Sequence, residues 1–327
     1  MKFSIWFNQK PDFFALIDDY KDHISSVYLP LPYSLGNSWR DEIQMNDYEE
    51  VALYSVIDTC NKYGIDTILI MNATCEGENT WDKFHMLKLI KFIKKLHMRW
   101  LTSITLTNML YAPFFRKALP KIIIYSSINC YLKSVEQAIY FKDLWIDILT
   151  IDRDINRDIE LIKNIKDRTW LPIQMLLNEG CFSNCPYRHT HFNIAAHRVD
   201  YNTEERIHNG KYNLIEDYSC VPMVHKNRKL IFRAPFIRPE DLIHYQDIVD
   251  VFKLDTRPES TERIRKMLDA YIAWTYHGDL KDIIDFPYQN IPYIDNDKLT
   301  RLSFFAKLRK CPKDCYSCNV CEQFFDK

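Results

Sequence analysis

Seven of the ten cysteines form two groups whose spacing suits metal binding. The first group follows an apolar run and consists of Cys181, Cys185 and, further along the chain, Cys220. The second group lies near the C-terminus and places four thiols within eleven residues: Cys311, Cys315, Cys318 and Cys321. Its C-x2-C-x2-C part has the spacing with which ferredoxins provide three ligands to a four-iron cluster. The tail therefore predicts an iron–sulfur cluster, and zinc, which also binds four close thiolates, is the alternative.

The seven clustered thiols do not divide into two complete sets of four. In one partition the first group binds a cluster with an open iron, and the four tail thiols bind a second cluster. In the other partition Cys311 completes the first cluster, and the three remaining tail thiols need a further ligand. We therefore expect one or two 4Fe–4S clusters. An incompletely ligated iron can bind a substrate oxygen, whereas fully ligated clusters mainly transfer electrons.

Eight short apolar runs alternate with amphipathic stretches, which is the pattern of a parallel sheet covered by helices. The apolar runs span residues 3–7, 27–31, 67–73, 101–105, 122–127, 148–152, 173–178 and 251–255. Helical periodicity covers residues 51–63, 81–97, 135–145, 159–165 and 261–274. This alternation predicts an α/β fold, a TIM-type (β/α)8 barrel, with a doubly wound open sheet as the alternative.

The alternation fails in a polar stretch at residues 198–229, which predicts an inserted excursion. Periodicity fades again after the last amphipathic stretch, where prolines accumulate. We therefore expect a barrel domain at residues 1–258 that contains this insertion, a C-terminal helical extension at 259–310 and a cysteine-rich metal-binding tail at 311–327.

Barrel enzymes carry their chemistry at the carboxyl ends of the strands, so the polar residues that follow the runs are site candidates. Glu179 follows the seventh run, beside Cys181, and Arg257 follows the eighth, so both are expected to face one mouth. We expect Arg257 to bind an anionic group, because a guanidinium suits bidentate recognition. Glu179 is expected to orient a polar group or to move a proton. A plain salt bridge between the two is the alternative.

Four further residues are candidates because of where they stand. Asn72 and Arg153 follow the third and sixth runs, and Arg188 and His191 follow Cys185. We expect Asn72, Arg153 and Arg188 to contact a cofactor or substrate, and His191 to act as an acid or base. The alternative for such rim residues is helix and turn capping, or, for the histidine, a solvent-facing position.

Composition excludes several classes of function. Only six glycines occur among 327 residues, and their positions allow neither a G-x-G-x-x-G motif nor a Walker loop. The net charge of −1 lacks the basic excess of a general nucleic-acid or membrane-surface binder. Neither a signal peptide nor an apolar stretch of membrane-spanning length is found, so we expect a cytoplasmic protein. In a reducing cytosol, clustered thiols favour metal binding over disulfides.

Several segments resemble the collagenase-like U32 peptidase family, which includes proteins of anaerobic ubiquinone hydroxylation and RNA base hydroxylation. The resemblance is carried by Cys220 and by the segments NEGC at 178–181, CPYR at 185–188, APFIRPEDL at 234–242 and FKLDTR at 252–257. It implies a barrel-like fold with a cysteine-bound four-iron cluster at its mouth. The resemblance also implies prephenate as a co-substrate that supplies oxygen.

The chain departs from the family pattern in three places. It has three rather than four cysteines in the central region, Asp255-Thr256-Arg257 stands where the family has a glycine before the arginine, and the cysteine-rich tail is additional. The peptidase name has little support in the residues, because neither a Ser/His/Asp arrangement nor an H-E-x-x-H motif is found.

The leading functional hypothesis is an iron–sulfur oxidoreductase that hydroxylates or otherwise modifies a small molecule, a peptide or an RNA base without molecular oxygen. An anionic small molecule is the expected substrate or co-substrate, and an electron donor or other protein is the expected partner. Two alternatives stay open: a non-catalytic iron–sulfur partner or electron relay of another enzyme, and a peptidase.

Overall fold

The computed structural model describes residues 1–32, 35, 50–196, 220–257, 259–287 and 291–325. Strands and helices alternate along the chain. The strands are β1 (Phe3–Trp6), β2 (Ile24–Leu29), β3 (Asp66–Met71), β4 (Ser103–Leu106), β5 (Ile123–Ser126), β6 (Leu149–Thr150), β7 (Ile173–Leu176) and β8 (Val251–Lys253). The helices are α1 (Phe13–Tyr20), α2 (Glu50–Lys62), α3 (Lys83–His97), α4 (Ala112–Ala118), α5 (Val135–Asp143), α6 (Ile159–Thr169), α7 (Arg188–Ala196), α8 (Cys220–Lys226), α9 (Thr261–Ala273), α10 (Asn296–Arg301) and α11 (Phe304–Arg309).

The eight strands form one parallel sheet in the order β5-β4-β3-β2-β1-β8-β7-β6. Its two edge strands also meet, because a parallel bridge joins Tyr125 to Ile148 and the Ser126 N–H donates to the Ile148 carbonyl at 3.0 Å. The sheet is therefore a nearly closed barrel with surrounding helices. The predicted TIM-type (β/α)8 barrel is confirmed, the open doubly wound sheet is wrong, and each predicted apolar run overlaps one of the strands.

Strand residues alternate between two environments, because successive side chains point to opposite faces of a sheet. Outward side chains such as Phe3, Ile5 and Val27 are buried in the main apolar core. Inward side chains form a second, small apolar cluster made of Trp6, Tyr28, Ile68, Ile70 and Tyr125. The other buried positions on the inward face are largely polar: Ser4, Ser26, Ser103, Thr105, Thr150 and Gln174. The barrel therefore has a mostly polar lumen beneath its mouth.

Capping chemistry sets the limits of the long helices. At the start of α6 the Asp158 carboxylate accepts the Leu161 N–H at 3.1 Å, and the helix ends before Trp170, whose φ is +60°. At the start of α9 the Ser260 hydroxyl accepts the Arg263 N–H at 3.2 Å, and Trp274 follows its end with a φ of +57°. The predicted helix at 159–165 thus continues to Thr169.

None of the helices within the described residues is long and apolar enough to cross a membrane.

The C-terminal extension pairs with the chain that follows β7. The Gly180 N–H donates to the Asp285 carbonyl, and the Asp285 N–H donates to the Asn178 carbonyl, each at 2.8 Å. A Cβ at Gly180 would lie 2.5 Å from the Asp285 carbonyl oxygen and 2.6 Å from the Phe286 Cα, both of them backbone atoms. This close approach therefore requires glycine at position 180.

The described part of the tail packs against the body of the protein. Phe324 and Phe325 are buried, and their rings lie 5.3 and 5.1 Å from the ring of Phe232. Phe324 also contacts Phe304 of α11 at 5.2 Å. Of the predicted insertion at 198–229, residues 198–219 lie outside the described part of the chain, and the remainder begins with α8.

Candidate active site at the barrel mouth

Three buried arginines stand on the segments that follow β6, β7 and β8, and each forms an ion pair. The Arg153 Nε lies 2.6 Å from the Glu179 Oε2. The Arg188 guanidinium donates from both Nη atoms to the Asp154 carboxylate, each at 3.0 Å. The Arg257 Nε donates to the Asp255 Oδ1 at 3.2 Å. Because strand ends of a barrel meet at one face, these pairs give the mouth a dense set of charges.

The pairing differs from the sequence-based expectation for Glu179 and Arg257. The structure pairs Glu179 with Arg153, and Arg257 with Asp255, so the alternative of a plain Glu179–Arg257 salt bridge is not the arrangement found. The Arg257 guanidinium also lies 4.9 Å from the ring centroid of Trp6 in the lumen. Both predicted residues are buried at the mouth, where each has a charged neighbour of its own.

Arg153 has the most unusual environment of the three. Its side chain is 1% exposed, and its guanidinium lies 5.4 Å from the ring centroid of Phe192. Within the described residues neither Nη atom has a hydrogen-bond partner. Buried donors that lack an acceptor carry a desolvation cost of about 1–3 kcal/mol, more for a charged group. A carboxylate or phosphate that accepted from both Nη atoms would remove this cost. The prediction that Arg153 contacts a cofactor or substrate stays a prediction.

Asp154 connects the loop after β6 to the turn that carries Cys181 and Cys185. Besides Arg188 it accepts hydrogen bonds from the Lys133 ammonium at 2.5 Å and from the Asn184 N–H at 2.9 Å. Burial alone would raise the pKa of Asp154, but the hydrogen bonds and charges of Arg188 and Lys133 outweigh burial and hold the pKa well below its usual value. The carboxylate therefore stays ionised and fixes the cysteine turn.

The cysteine turn (residues 181–185) lies against these charges. Burial raises the pKa of the Cys181 thiol, and the charge of Glu179 raises it further, while Arg153 and Arg188 act in the opposite direction. Cys185 also acts on Cys181, so the two thiols of the turn are close. Cys220 begins α8 and packs partly buried against the main core. Its predicted role as a third ligand of this group stays a prediction.

The four tail thiols surround one cavity of about 220 Å³, which is also lined by Lys229, Lys307 and Lys310. A neighbouring cavity of about 440 Å³ shares Cys311, Cys315 and Cys321 with Asp154, Ser183 and Asn184. The tail thiols therefore lie beside the loops after β6 and β7. Among the described residues, no three His, Cys, Asp or Glu side chains converge closely enough to hold a single metal ion.

Lys253 is a further candidate site residue. The sequence analysis included it only within the segment FKLDTR at 252–257 and gave it no role. It is the last residue of β8 and its ammonium lies 3.6 Å from the ring centroid of Tyr28. Burial, and then the charge of Arg257, lower the pKa of Lys253 to about 7, although Asp255 and Glu179 act against this. A charged residue at an inward position of a buried strand is the signal that would have identified it.

The other predicted residues have simpler surroundings. Asn72 is buried, and its backbone carbonyl accepts a hydrogen bond from the Asn129 side-chain amide at 3.1 Å. His191 is exposed on α7, beside Phe192. Asp152, which precedes Arg153, was not among the predicted residues; its side chain accepts the N–H of Asp154 at 2.6 Å, a capping interaction.

Comparison with known proteins gives two similarities over most of the chain, while no family model matches it. An uncharacterized protease of Methanocaldococcus jannaschii is 25% identical over 308 residues, which cover 92% of this chain and 87% of the protease. The solved structure of the U32 peptidase Mk0906 aligns with a TM-score of 0.56 at 15% identity, over 78% of this chain and 92% of the peptidase. These similarities support assignment of the chain to the U32 peptidase family. The family resemblance found in the sequence is thereby confirmed, and the barrel is the fold shared with the solved U32 peptidase.

Proposed function

We propose that this U32-family protein is an iron–sulfur oxidoreductase that modifies an anionic substrate at the barrel mouth. The observation that carries the proposal is the cavity that all four tail thiols line, beside the loops after β6 and β7. The proposal needs redox-active metal at the thiols and an anion-binding site at the mouth.

The four tail thiols could serve as ligands of a four-iron cluster or of a zinc ion. All four line one cavity of about 220 Å³. The C-x2-C-x2-C spacing of three of them favours the four-iron cluster. When bound, a four-iron cluster would supply single-electron transfer, and these four thiolates would hold it.

Burial and the neighbouring thiols disfavour free thiolates in the tail, while nearby cations act in the opposite direction. Burial raises the pKa of the Cys321 thiol to about 12, and the other three tail cysteines add to this. Arg157 acts against the shift at Cys321, as Arg233 and Lys229 do at Cys315. Ligation requires deprotonated thiols, so these cations would stabilise the bound form.

The mouth supplies the groups for an anionic substrate. Arg153 offers its two Nη atoms, and Arg257 presents a buried guanidinium held by Asp255 and Trp6. Guanidinium groups bind carboxylates bidentately, so a dicarboxylate such as prephenate is a suitable co-substrate. Glu179, held by Arg153, would orient a polar group of the substrate or accept its proton.

Metal analysis after anaerobic purification tests the tail. Iron, sulfide and zinc are measured together with electron paramagnetic resonance in the parent and in Cys318→Ala and Cys321→Ala. We expect both variants to lose the iron of one cluster, and the control Cys60→Ala, a buried thiol within α2, to retain it. Zinc in place of iron, or unchanged iron in both tail variants, would contradict the proposal.

The central thiols are tested in the same way. Cys181→Ala, Cys185→Ala and Cys220→Ala should each remove the same fraction of iron if the three residues hold one cluster. Parent-level iron in all three variants would show that they do not.

For the mouth, Arg257→Ala should weaken binding of prephenate measured by calorimetry; equal binding by parent and variant, or none by either, would contradict an anion site.

Peptide hydrolysis is a second candidate, favoured by the names of the two similar proteins, a protease and a U32 peptidase. A peptidase would cleave unstructured peptides, and cleavage would survive loss of the tail thiols. A protein without iron that cleaves peptides equally well in the parent and in Cys321→Ala would favour this candidate over the redox proposal.

A further inference from the structure

Lys253 is a buried amine whose neighbours do not neutralise it. It ends β8 at an inward position, above a lumen lined by Tyr28 and Gln174. Among the described residues no carboxylate lies within 4 Å of its Nζ, which instead faces the Tyr28 ring at 3.6 Å. The Tyr28 hydroxyl donates to the Gln174 Oε1 at 2.6 Å, which holds the ring in place. Residue 253 as a whole is partly exposed, although its amine is buried.

The charged groups around Lys253 come from the loops after β6, β7 and β8. Arg257 and Arg153 disfavour its protonated form, while Asp255 and Glu179 favour it. Each of these carboxylates already pairs with one of the arginines. Burial is the largest influence and, with the arginines, brings the pKa of Lys253 to about 7. The neutral, nucleophilic form of the amine is therefore much more populated at pH 7 than it is in an ordinary lysine.

We propose that Lys253 forms an imine with the carbonyl carbon of a 2-oxo acid whose carboxylate binds Arg153. The neutral amine adds to the carbonyl carbon, and the carbonyl oxygen takes up a proton. Water then leaves as the C–N double bond forms, so the step consumes no oxidant or reductant. The protonated imine withdraws electrons from the adjacent carbon, which activates the bound acid for loss of a proton or of a carbon substituent.

The carboxylate subsite rests on Arg153. Its side chain is 1% exposed, and its two Nη atoms lack a hydrogen-bond partner among the described residues. A carboxylate would satisfy both Nη atoms in the bidentate geometry that guanidinium favours. The charge of Arg153 acts on Lys253, so the carboxylate subsite and the amine belong to the same group of charged side chains at the mouth. This inference does not depend on the iron–sulfur proposal, because it uses no thiol.

Reductive trapping tests the proposal directly. The full-length protein, purified anaerobically, is incubated with pyruvate and sodium cyanoborohydride, and the modified lysines are mapped by mass spectrometry. We expect Lys253 to be labelled at pH 7 at least about tenfold faster than any other lysine, since its lowered pKa raises its neutral fraction. Lys253→Arg should abolish this label, while the control Lys166→Arg, at an ion pair with Asp250, should not change it. Labelling spread over other lysines, with Lys253 unmodified, would overturn the proposal.

A neutral probe separates the amine from the carboxylate subsite. The double variant Arg153→Met/Glu179→Gln removes the buried ion pair without leaving one charge alone. We expect this variant to slow labelling by pyruvate about tenfold or more while labelling by acetone continues. Equal loss with both probes, in a variant shown to be folded by circular dichroism, would overturn the role of Arg153. Iron content measured on the same samples keeps these outcomes distinct from those of the cluster proposal.

Discussion

Replacing Asp154 by asparagine removes the charge at the centre of the network that holds the cysteine turn. Asp154 accepts hydrogen bonds from both Nη atoms of Arg188, from Lys133 and from the Asn184 N–H. Asparagine keeps the shape of the side chain but offers one acceptor oxygen and no charge. The buried guanidinium of Arg188 would then have Asp152 as its nearest carboxylate, at 3.8 Å.

The expected cost follows from burial. The side chains of Arg188 and Asp154 are each 3% exposed, and breaking a buried pair by removing one partner typically costs about 3–5 kcal/mol. Asp152 and the Phe182 carbonyl, which also accepts from Arg188, keep part of the stabilisation. We therefore expect Asp154→Asn to lower the free energy of unfolding by about 3 kcal/mol at pH 7, measured by anaerobic urea titration.

The same carboxylate gives this loss a defined pH dependence. Because the pKa of Asp154 is lower in the folded state, its contribution is fully present above about pH 4 and disappears as the pH falls through the folded-state pKa. The difference between parent and variant should be constant from pH 6 to 8 and shrink at acidic pH. The control is Asp58→Asn at the exposed pair with Arg99, where a loss below about 1 kcal/mol is expected. Equal costs for the two variants, with unchanged iron content in Asp154→Asn, would refute this account of the turn.

Three further changes test other parts of the structure. Gly180→Ala should lower the free energy of unfolding by about 1–3 kcal/mol in a urea titration, because the alanine Cβ would overlap the backbone at Asp285. An unchanged free energy would show that the C-terminal extension does not pack against the chain after β7. Phe324→Ala should cost about 3–5 kcal/mol and expose the tail to limited proteolysis, and a cost below about 1 kcal/mol would favour an independent tail. Relative to Lys253→Met, the free energy of unfolding of the parent should rise between pH 7 and 10, by at most about 1.4 kcal/mol per pH unit. The reason is that the folded protein releases the lysine proton near pH 7, whereas the unfolded chain keeps it. Parallel pH profiles of parent and variant would contradict a lowered pKa of Lys253.

The barrel was predictable because its strands and helices have different periods in the sequence. Outward strand positions must meet the helices, so residues such as Ile5, Val27 and Leu69 are apolar and buried. Helix limits were less predictable where a cap, rather than an apolar position, sets the end. The helix expected at 159–165 continues to Thr169. Charged residues of its last turn face solvent, so the apolar pattern does not show this turn, and the αL residue Trp170 ends the helix.

The pairing of charges at the mouth was not predictable from the sequence. Position along a strand indicates which residues follow it at the mouth, and Glu179, Arg153 and Arg257 lie after β7, β6 and β8. Which carboxylate each arginine meets depends on side-chain direction and on the loops between strands. Asp255, two residues before Arg257, reaches its guanidinium, and this leaves Glu179 to Arg153 of the neighbouring strand end. The tail was separable by composition, but its packing depends on two phenylalanines beyond the cysteine motif, Phe324 and Phe325.

The choice between arginine and lysine distinguishes the two kinds of cation at this mouth. Arginine stays charged in proteins even when buried, so Arg153 and Arg257 provide permanent positive charge for an anion. A lysine loses its proton more readily in the same surroundings, and Lys253 has the lowered pKa that burial beside two guanidinium groups produces. Exchanging arginine and lysine at these positions would remove both the amine and the guanidinium geometry. A buried arginine at 253 would not be a nucleophile, and a lysine at 153 could not donate two parallel hydrogen bonds to a carboxylate. The mouth therefore combines permanently charged guanidinium groups with a titratable amine, and this combination follows from residue type and position in the barrel.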